Sequence, residues 1–224
     1  MVTSNVPPFA TREPERFQAV RIVTFNESSP GGPTTERSSR VSIARDGEKR
    51  REEYFIGSSE SIVYLEIPAG RFVLLPLSGI YADMKAVDNE AQVDLMDETA
   101  LPSADLLINE GFSASTYEKV GTESLDRRMT TKYRVMSSAA SQAGGNFETL
   151  IWIDESLGLP VRSESTSAAG ERSSKTTMEL KNITLEVDED LFTLPANYRR
   201  VDGRLVLEKI RESRSRMSSS VGKE

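Results

Sequence analysis

The chain has 224 residues, 37% hydrophobic and 28% charged, with a formal net charge of -7 and neither histidine nor cysteine. Missing imidazoles and thiols exclude Ser-His-Asp and Cys-His nucleophile systems, imidazole general bases, and nearly all zinc, haem and iron-sulfur ligation, so no cofactor is expected. The acidic balance argues against a nucleic-acid partner, since nucleic-acid binders carry a basic surplus.

Pro7, Pro8 and Pro14 block a helix over residues 1–15 and predict an extended entry into the first strand. MVTSNVPPFA carries no basic start followed by a long apolar stretch, and no window approaches the roughly 18 apolar residues of a membrane span. A soluble chain is expected. FQAVRIVTFNES, 17–28, reads as a strand with Phe17, Ala19, Val23 and Phe25 on one face. RSSRVSIARDGEKRREEYFI, 37–56, reads as a hairpin turning at Asp46-Gly47. ESIVYLEIPAGRFVLLPLSG, 60–79, reads as a second hairpin, turning at Pro68-Ala69-Gly70, with both strands apolar on both faces.

From 83 to 110 the chain carries eight acids against Lys85 alone, and 86–110 reads as an irregular helical insert with Ser103 as an N-cap. Strands resume in STYEKVGTESLDRR and MTTKYRVMSS, where Met129, Thr131, Tyr133 and Val135 alternate with charged or polar neighbours. AASQAGGN is a loop. ETLIWIDESLGLPVRSES holds the one tryptophan, Trp152, and reads as a hairpin turning at Ser156-Leu157-Gly158. In 173–187 the apolar positions switch parity near Lys181 and Asn182, as a bulge produces. After Asp202 comes an amphipathic fragment, GRLVLEKIRE, and then a serine-rich end whose composition suits disorder.

Antiparallel sheets usually keep one face dry, so strands 62–67, 72–77 and 150–153, apolar on both faces, must be covered twice. Two arrangements satisfy this: a closed sandwich or barrel with a helix outside, or a strongly curved, incomplete barrel whose concave face lines an apolar cavity under the 86–110 insert. For the cavity, the alternation nominates Val23, Phe25, Tyr64, Phe72, Leu74, Tyr133, Trp152 and Met178, each of which reads as ordinary core ahead of ligand contact, because alternation identifies a buried face but not what fills the space beside it.

Four stretches carry a family resemblance: IARDGEKRREEY, SSESIVYLEIPAGRFVL, LIWIDESLGLPVRSE and MELKNITLEVDEDLFTLPANYRRV. Together, over about residues 16–201, they resemble the outer-membrane lipoprotein carrier superfamily, the LolA-like and LolB-like proteins. The matching positions are Arg45, Asp154 with Leu159-Pro160, and Phe192 with Pro195 and Tyr198. The resemblance implies an α+β fold: an antiparallel sheet curved into a half-barrel, with the helical insert over its concave face. It divides the chain into an extended segment 1–15, the half-barrel 16–201 and a helical or disordered tail 202–224. It also implies an arginine latching sheet to lid, at Arg45 with Arg50 and Arg51 close by as alternatives, and a periplasmic or otherwise extracytoplasmic protein holding a lipid acyl chain or other hydrophobic ligand without catalysis. The family's long amphipathic helix before strand one has no counterpart in these residues, which favours a second version, a sensor or protein-interaction module of the same fold.

Other chemistry is weaker. The 83–110 acids lack the Asp/Asn spacing with glycine of a calcium loop, so no metal site is expected. KRREE, 49–53, reads as a rung of mutually screened charges. The basic residues Arg204, Lys209, Arg211, Arg214 and Arg216 are interspersed with Glu208 and Glu212, which weakens any anionic-surface reading. GxSxG, P-loop and GxGxxG patterns are absent. Asp188 and Asp190 leave a carboxylate-based hydrolase as a third reading, but their place before Phe192 suits a turn or cap.

Overall fold

In the computed structural model of the chain, the described residues are 3–4, 7–9, 13–29, 31–56, 60–84, 115–137, 146–169 and 172–220. The 86–110 insert lies outside them. The strands are β1 (Thr3–Ser4), β2 (Arg16–Ser28), β3 (Thr35–Asp46), β4 (Lys49–Ile56), β5 (Glu60–Ile67), β6 (Gly70–Leu75) and β7 (Ile80–Asp83). They continue as β8 (Ser115–Leu125), β9 (Arg128–Ser137), β10 (Asn146–Asp154), β11 (Leu159–Ala169), β12 (Arg172–Thr184) and β13 (Arg199–Arg200), and one helix, α1 (Gly203–Ser220), follows. The hydrogen-bonded order is β1-β8-β9-β10-β11-β12-β2-β3-β4-β5-β6-β7-β13, an open list that ends at β1 and β13. Among the described residues the pairings along β1-β8-β9-β10-β11-β12 and β3-β4-β5-β6-β7 are antiparallel, and β7 with β13 is parallel.

The hairpins predicted from the sequence are present. Gly47 takes φ +62 after Asp46, and Gly158 takes φ +66 at the turn between β10 and β11. These are left-handed values that a side chain resists and glycine does not. Asn182, where apolar parity switches, has φ +54, a conformation asparagine tolerates because its short amide bonds locally.

Two compact units divide the chain, one of Met1–Pro14, Arg21–Ser39 and Pro102–Lys181, the other of Glu15–Val20, Arg40–Leu101 and Asn182–Glu224. In the second unit the register sorts β5 and β6 into two faces. Tyr64 pairs Val73, and Val73 pairs Ala82, on one face; Val63 pairs Leu74, and Leu65 pairs Phe72, on the other. The first face carries Ile62, Val73, Leu75, Ile80 and Ala82, packed against Val206, Leu207 and Ile210 of α1. The spacing of 206, 210 and the buried Ser213 is one helical stripe, and Asp202 starts the helix by accepting from the Arg204 N–H at 2.8 Å. The segment that composition sets apart as a tail therefore supplies part of this core. On the second face, Val63, Leu65, Phe72 and Leu74 pack against Val187 and Phe192, with Leu191, Leu194 and Tyr198 beside them. A 3-10 turn, Glu189–Phe192, aims Phe192 inward, and the Asp188 carboxylate caps it by accepting from the Asp190 N–H at 3.0 Å. Strands apolar on both faces are thus covered twice, by α1 and by the 187–198 segment.

Candidate functional site

The first unit resolves the same problem differently. Across β9, β10, β11 and β12 the register aligns Tyr133, Ile151, Ser163 and Met178 in one row. Side chains directly opposite in a ladder share a face, so this row and its neighbours form one surface. Tyr117, Tyr133, Val135, Ile151 and Ile153 make its apolar cluster, and Phe9 packs on it with ring centroids 5.8 Å from Tyr117 and 4.9 Å from Tyr133. A buried hydroxyl pair, Thr149 with Ser165 at 3.0 Å, lies in the adjoining row.

The opposite face is charged. Lys132, Trp152, Arg162 and Glu179 align there. A chain of ion pairs runs Asp126–Lys181–Glu179–Arg162–Glu164–Lys175, with Lys181 to Asp126 at 2.9 Å and Lys175 to Glu164 at 3.0 Å. A shorter chain links Glu118, Arg134 and Glu148. Burial pushes the Glu164 carboxyl up, but hydrogen bonds from Lys175 and Arg162 outweigh it and hold the group below its ordinary value. The hydrogen bond from Lys181 holds Asp126 down and raises Lys181 in turn.

Trp152 lies within this charged face, yet it is only 4% exposed. Lys132 Nζ stands 4.4 Å from its ring centroid and Arg162 Cζ 5.2 Å, so two cations and their aliphatic stems cover the indole. Its buried Nε1 has no hydrogen-bond acceptor among the described residues.

The eight residues nominated for a cavity consequently fall on several surfaces. Tyr133 and Met178 share a row; Trp152 is on the reverse of the same strands. In the second unit Tyr64 sits on the α1 face, while Phe72 and Leu74 sit under Phe192. Val23 is buried and Phe25 half-buried, two apart on β2. The reason is register: a one-residue difference in parity moves a side chain through the sheet, and composition does not report it. Arg45 donates to the Gly47 carbonyl at 3.1 Å, within its own turn, and the insert it was expected to latch lies outside the described residues.

A cavity of about 530 Å³ lies where β8, β9 and the β10–β11 turn end, lined among others by Thr122, Arg127, Met129, Thr131, Asp154 and Glu155. The β8–β9 turn places Asp126 at φ +49 and Arg127 at φ +65, both left-handed. Asp154, 3% exposed, is saturated: Arg128 Nη1 donates at 3.3 Å, the Ser156 N–H at 3.0 Å and the Ser156 hydroxyl at 2.5 Å. Burial and then the nearby Glu155 carboxylate push the Tyr133 phenol above its ordinary value, which ties the apolar row to this rim. Sequence reasoning missed the cavity; the available signal was Asp-Arg between two strands, a two-residue turn without glycine.

No family model and no curated protein matches the chain. Solved structures do. A LolA superfamily protein from Nitrosomonas europaea matches at 12% identity and TM-score 0.28, over 82% of this chain and 93% of that one. The Mycobacterium tuberculosis lipoprotein LppX matches at 11% and 0.33, over 75% and 88%. The Pseudomonas aeruginosa MucA/MucB complex matches at 16% and 0.40, over 82% of this chain and 58% of that one. The chain is similar in structure to these proteins, and no helix among the described residues is long and apolar enough to cross a membrane.

Proposed function

We propose that this chain is an extracytoplasmic, non-catalytic binding protein with an incomplete barrel, and that the apolar face of β8–β12 receives an acyl chain or another hydrophobic molecule. The carrying observation is the row Tyr133–Ile151–Ser163–Met178 with Tyr117, Val135 and Ile153 around it, an apolar face whose members are 1–4% exposed and which is backed by ion pairs, so that a ligand enters by displacing what covers it. Each methylene fully buried there contributes about 0.8 kcal/mol, so a twelve-carbon chain gains roughly 10 kcal/mol gross, before ordering costs and the cost of displacing the present cover. The sequence resemblance to lipoprotein carriers points the same way.

The test is native mass spectrometry of freshly purified protein, paired with organic extraction of the same sample. A discrete added mass matched by an extracted lipid is expected, reduced in the Tyr133→Ala and Ile151→Ala variants and retained in Trp152→Phe. A bare mass that stays bare when lipid is offered sinks the reading.

A second reading rests on the sheet edge. β1 pairs only Tyr117 and Glu118 of β8, and among the described residues no other strand takes that edge. An extended segment of a protein partner fits there by strand addition. Recovery of a stoichiometric protein in a pull-down, with an empty lipid extract, is the outcome that favours it.

A further inference from the structure

We infer that the cavity at the β8–β9 turn binds the oxyanion group, phosphate or carboxylate, of an amphiphile whose chain lies along the Tyr133 row; this rests on the ligand reading above. The argument is an inventory of what the cavity has left to offer. Asp154 is filled by Arg128 and Ser156, and the Thr130 hydroxyl donates to the Glu123 carbonyl at 2.9 Å. Asp126, beside Arg127, is taken by Lys181 at 2.9 Å. What remains is Arg127, which makes no hydrogen bond or ion pair among the described residues although its charge acts on Asp126, and Thr122 and Thr131, which pair across β8 and β9 and line the cavity. A guanidinium with its full fork of donors, next to two hydroxyls, matches a phosphate or carboxylate in geometry and charge.

Position supports the pairing of head with tail. By strand alternation Thr131 and Tyr133, both buried, share a face, so the Thr122–Thr131 pair continues the apolar row toward the cavity. Met129, 68% exposed, also lies on that face and lines the cavity, giving the boundary an apolar contact. The turn itself is costly in sequence terms. Arg127 occupies a φ of +65, where a two-residue hairpin turn usually carries glycine. An arginine there gives up backbone comfort and gains a cation in the cavity. Glu155 is the opposing charge on the same wall, so its removal is expected to strengthen anion binding.

Binding by isothermal titration of the full chain to dodecyl phosphate, dodecanol and inorganic phosphate separates the possibilities. Expected is a preference of about tenfold or more for dodecyl phosphate over dodecanol, since a hydrogen-bonded charge is worth that much or more. The preference disappears in Arg127→Gly, whose melting temperature stays level or rises because glycine relieves the left-handed turn; Glu155→Gln increases it. Equal affinity for the two amphiphiles overturns the anion inference and leaves the apolar reading standing. Arg127-dependent binding of inorganic phosphate with no binding of either amphiphile does the reverse: the anion site stands as one for free phosphate, and the amphiphile assignment falls with the apolar reading. Silence from all three probes overturns both.

Discussion

The two units answer one demand, covering strands that are apolar on both sides, by different means. In the second unit the chain brings its own covers: α1 lies on one face of β5 and β6, and Phe192 with its neighbours on the other. In the first unit one face of β10 is closed by side chains alone, with Trp152 held beneath Lys132 and Arg162, and on the other Ile151 and Ile153, also buried, cluster with Tyr117, Tyr133 and Val135, against which Phe9 packs. An apolar run on both faces therefore does announce a buried strand, here with Ile151, Trp152 and Ile153 3%, 4% and 1% exposed, but it does not say what buries it. Long cationic side chains can dry one face as a helix dries another, because their stems are apolar and their heads favour the aromatic ring.

The difference makes the second unit the place where core truncation hurts most. Phe192→Ala is expected to cost about 3–5 kcal/mol and Ile210→Ala about 2–5 kcal/mol by denaturant unfolding, since each leaves a cavity in a closed core. A loss below about 1 kcal/mol for Ile210→Ala would mean that α1 is peripheral and that the two-sided cover is not real. Ligand probes the other half of the comparison. An amphiphile at a hundred times its dissociation constant is expected to raise stability by about 2.7 kcal/mol through mass action. Ile151→Ala should lose most of that gain, whereas the Tyr64→Phe variant, altered in the other unit, should keep it. Equal loss in both would place the binding surface elsewhere.

How much of this the residues announced depends on distance along the chain. Local signals were legible: Asp46-Gly47, the Gly158 turn and the parity switch at Asn182 each state a backbone need that few residues meet. The cap role of Asp188 was also readable, because an acid just ahead of an apolar closing segment has a nearby N–H to accept from. Which residues share a face was not. Lys119 and Gly121 flank a register shift in β8, and Trp152 and Ile153 flank another in β10, so parity counted along one strand does not carry to the next. Nor does amphipathicity in GRLVLEKIRE say what its stripe will cover; the partner, Ile62 to Ala82, lies more than a hundred residues earlier. Arg127 escaped notice for a third reason, since its signal is the absence of a glycine where the turn favours one.

Trp152 offers a finer test of the side-chain cover. Its buried Nε1 donor has no acceptor among the described residues, and leaving such a group unmet costs about 1–3 kcal/mol. Phenylalanine removes that donor but loses ring volume and cation attraction, since tryptophan is the best of the aromatic partners. Trp152→Phe is therefore expected to change unfolding free energy by about 1 kcal/mol or less, the two effects opposing. A loss well above that would reveal an acceptor for the N–H.

The smallest effect concerns the end of the ion-pair chain. Asp126 and Lys181 meet at 2.9 Å with side chains 63% and 35% exposed, so a double-mutant cycle is expected to give about 0.2–1 kcal/mol of coupling, shrinking as salt is added. Its pH dependence has a definite sign on each limb. Asp126 is depressed in the folded chain, so its contribution is present above the ordinary aspartate pKa and is lost as pH falls through the folded value. Lys181 is raised, so its contribution is complete below the ordinary lysine pKa and is lost as pH rises through the folded value. The coupling should therefore form a plateau across neutral pH with a fall at each end. Because Lys181 is also shared with Glu179 at 3.4 Å, Asp126→Asn should remove the acid limb of this pair but leave part of the alkaline one. If the alkaline limb vanished as well, Lys181 would be anchored by Asp126 alone, and the ion pairs would end there instead of running along the charged face to Lys175.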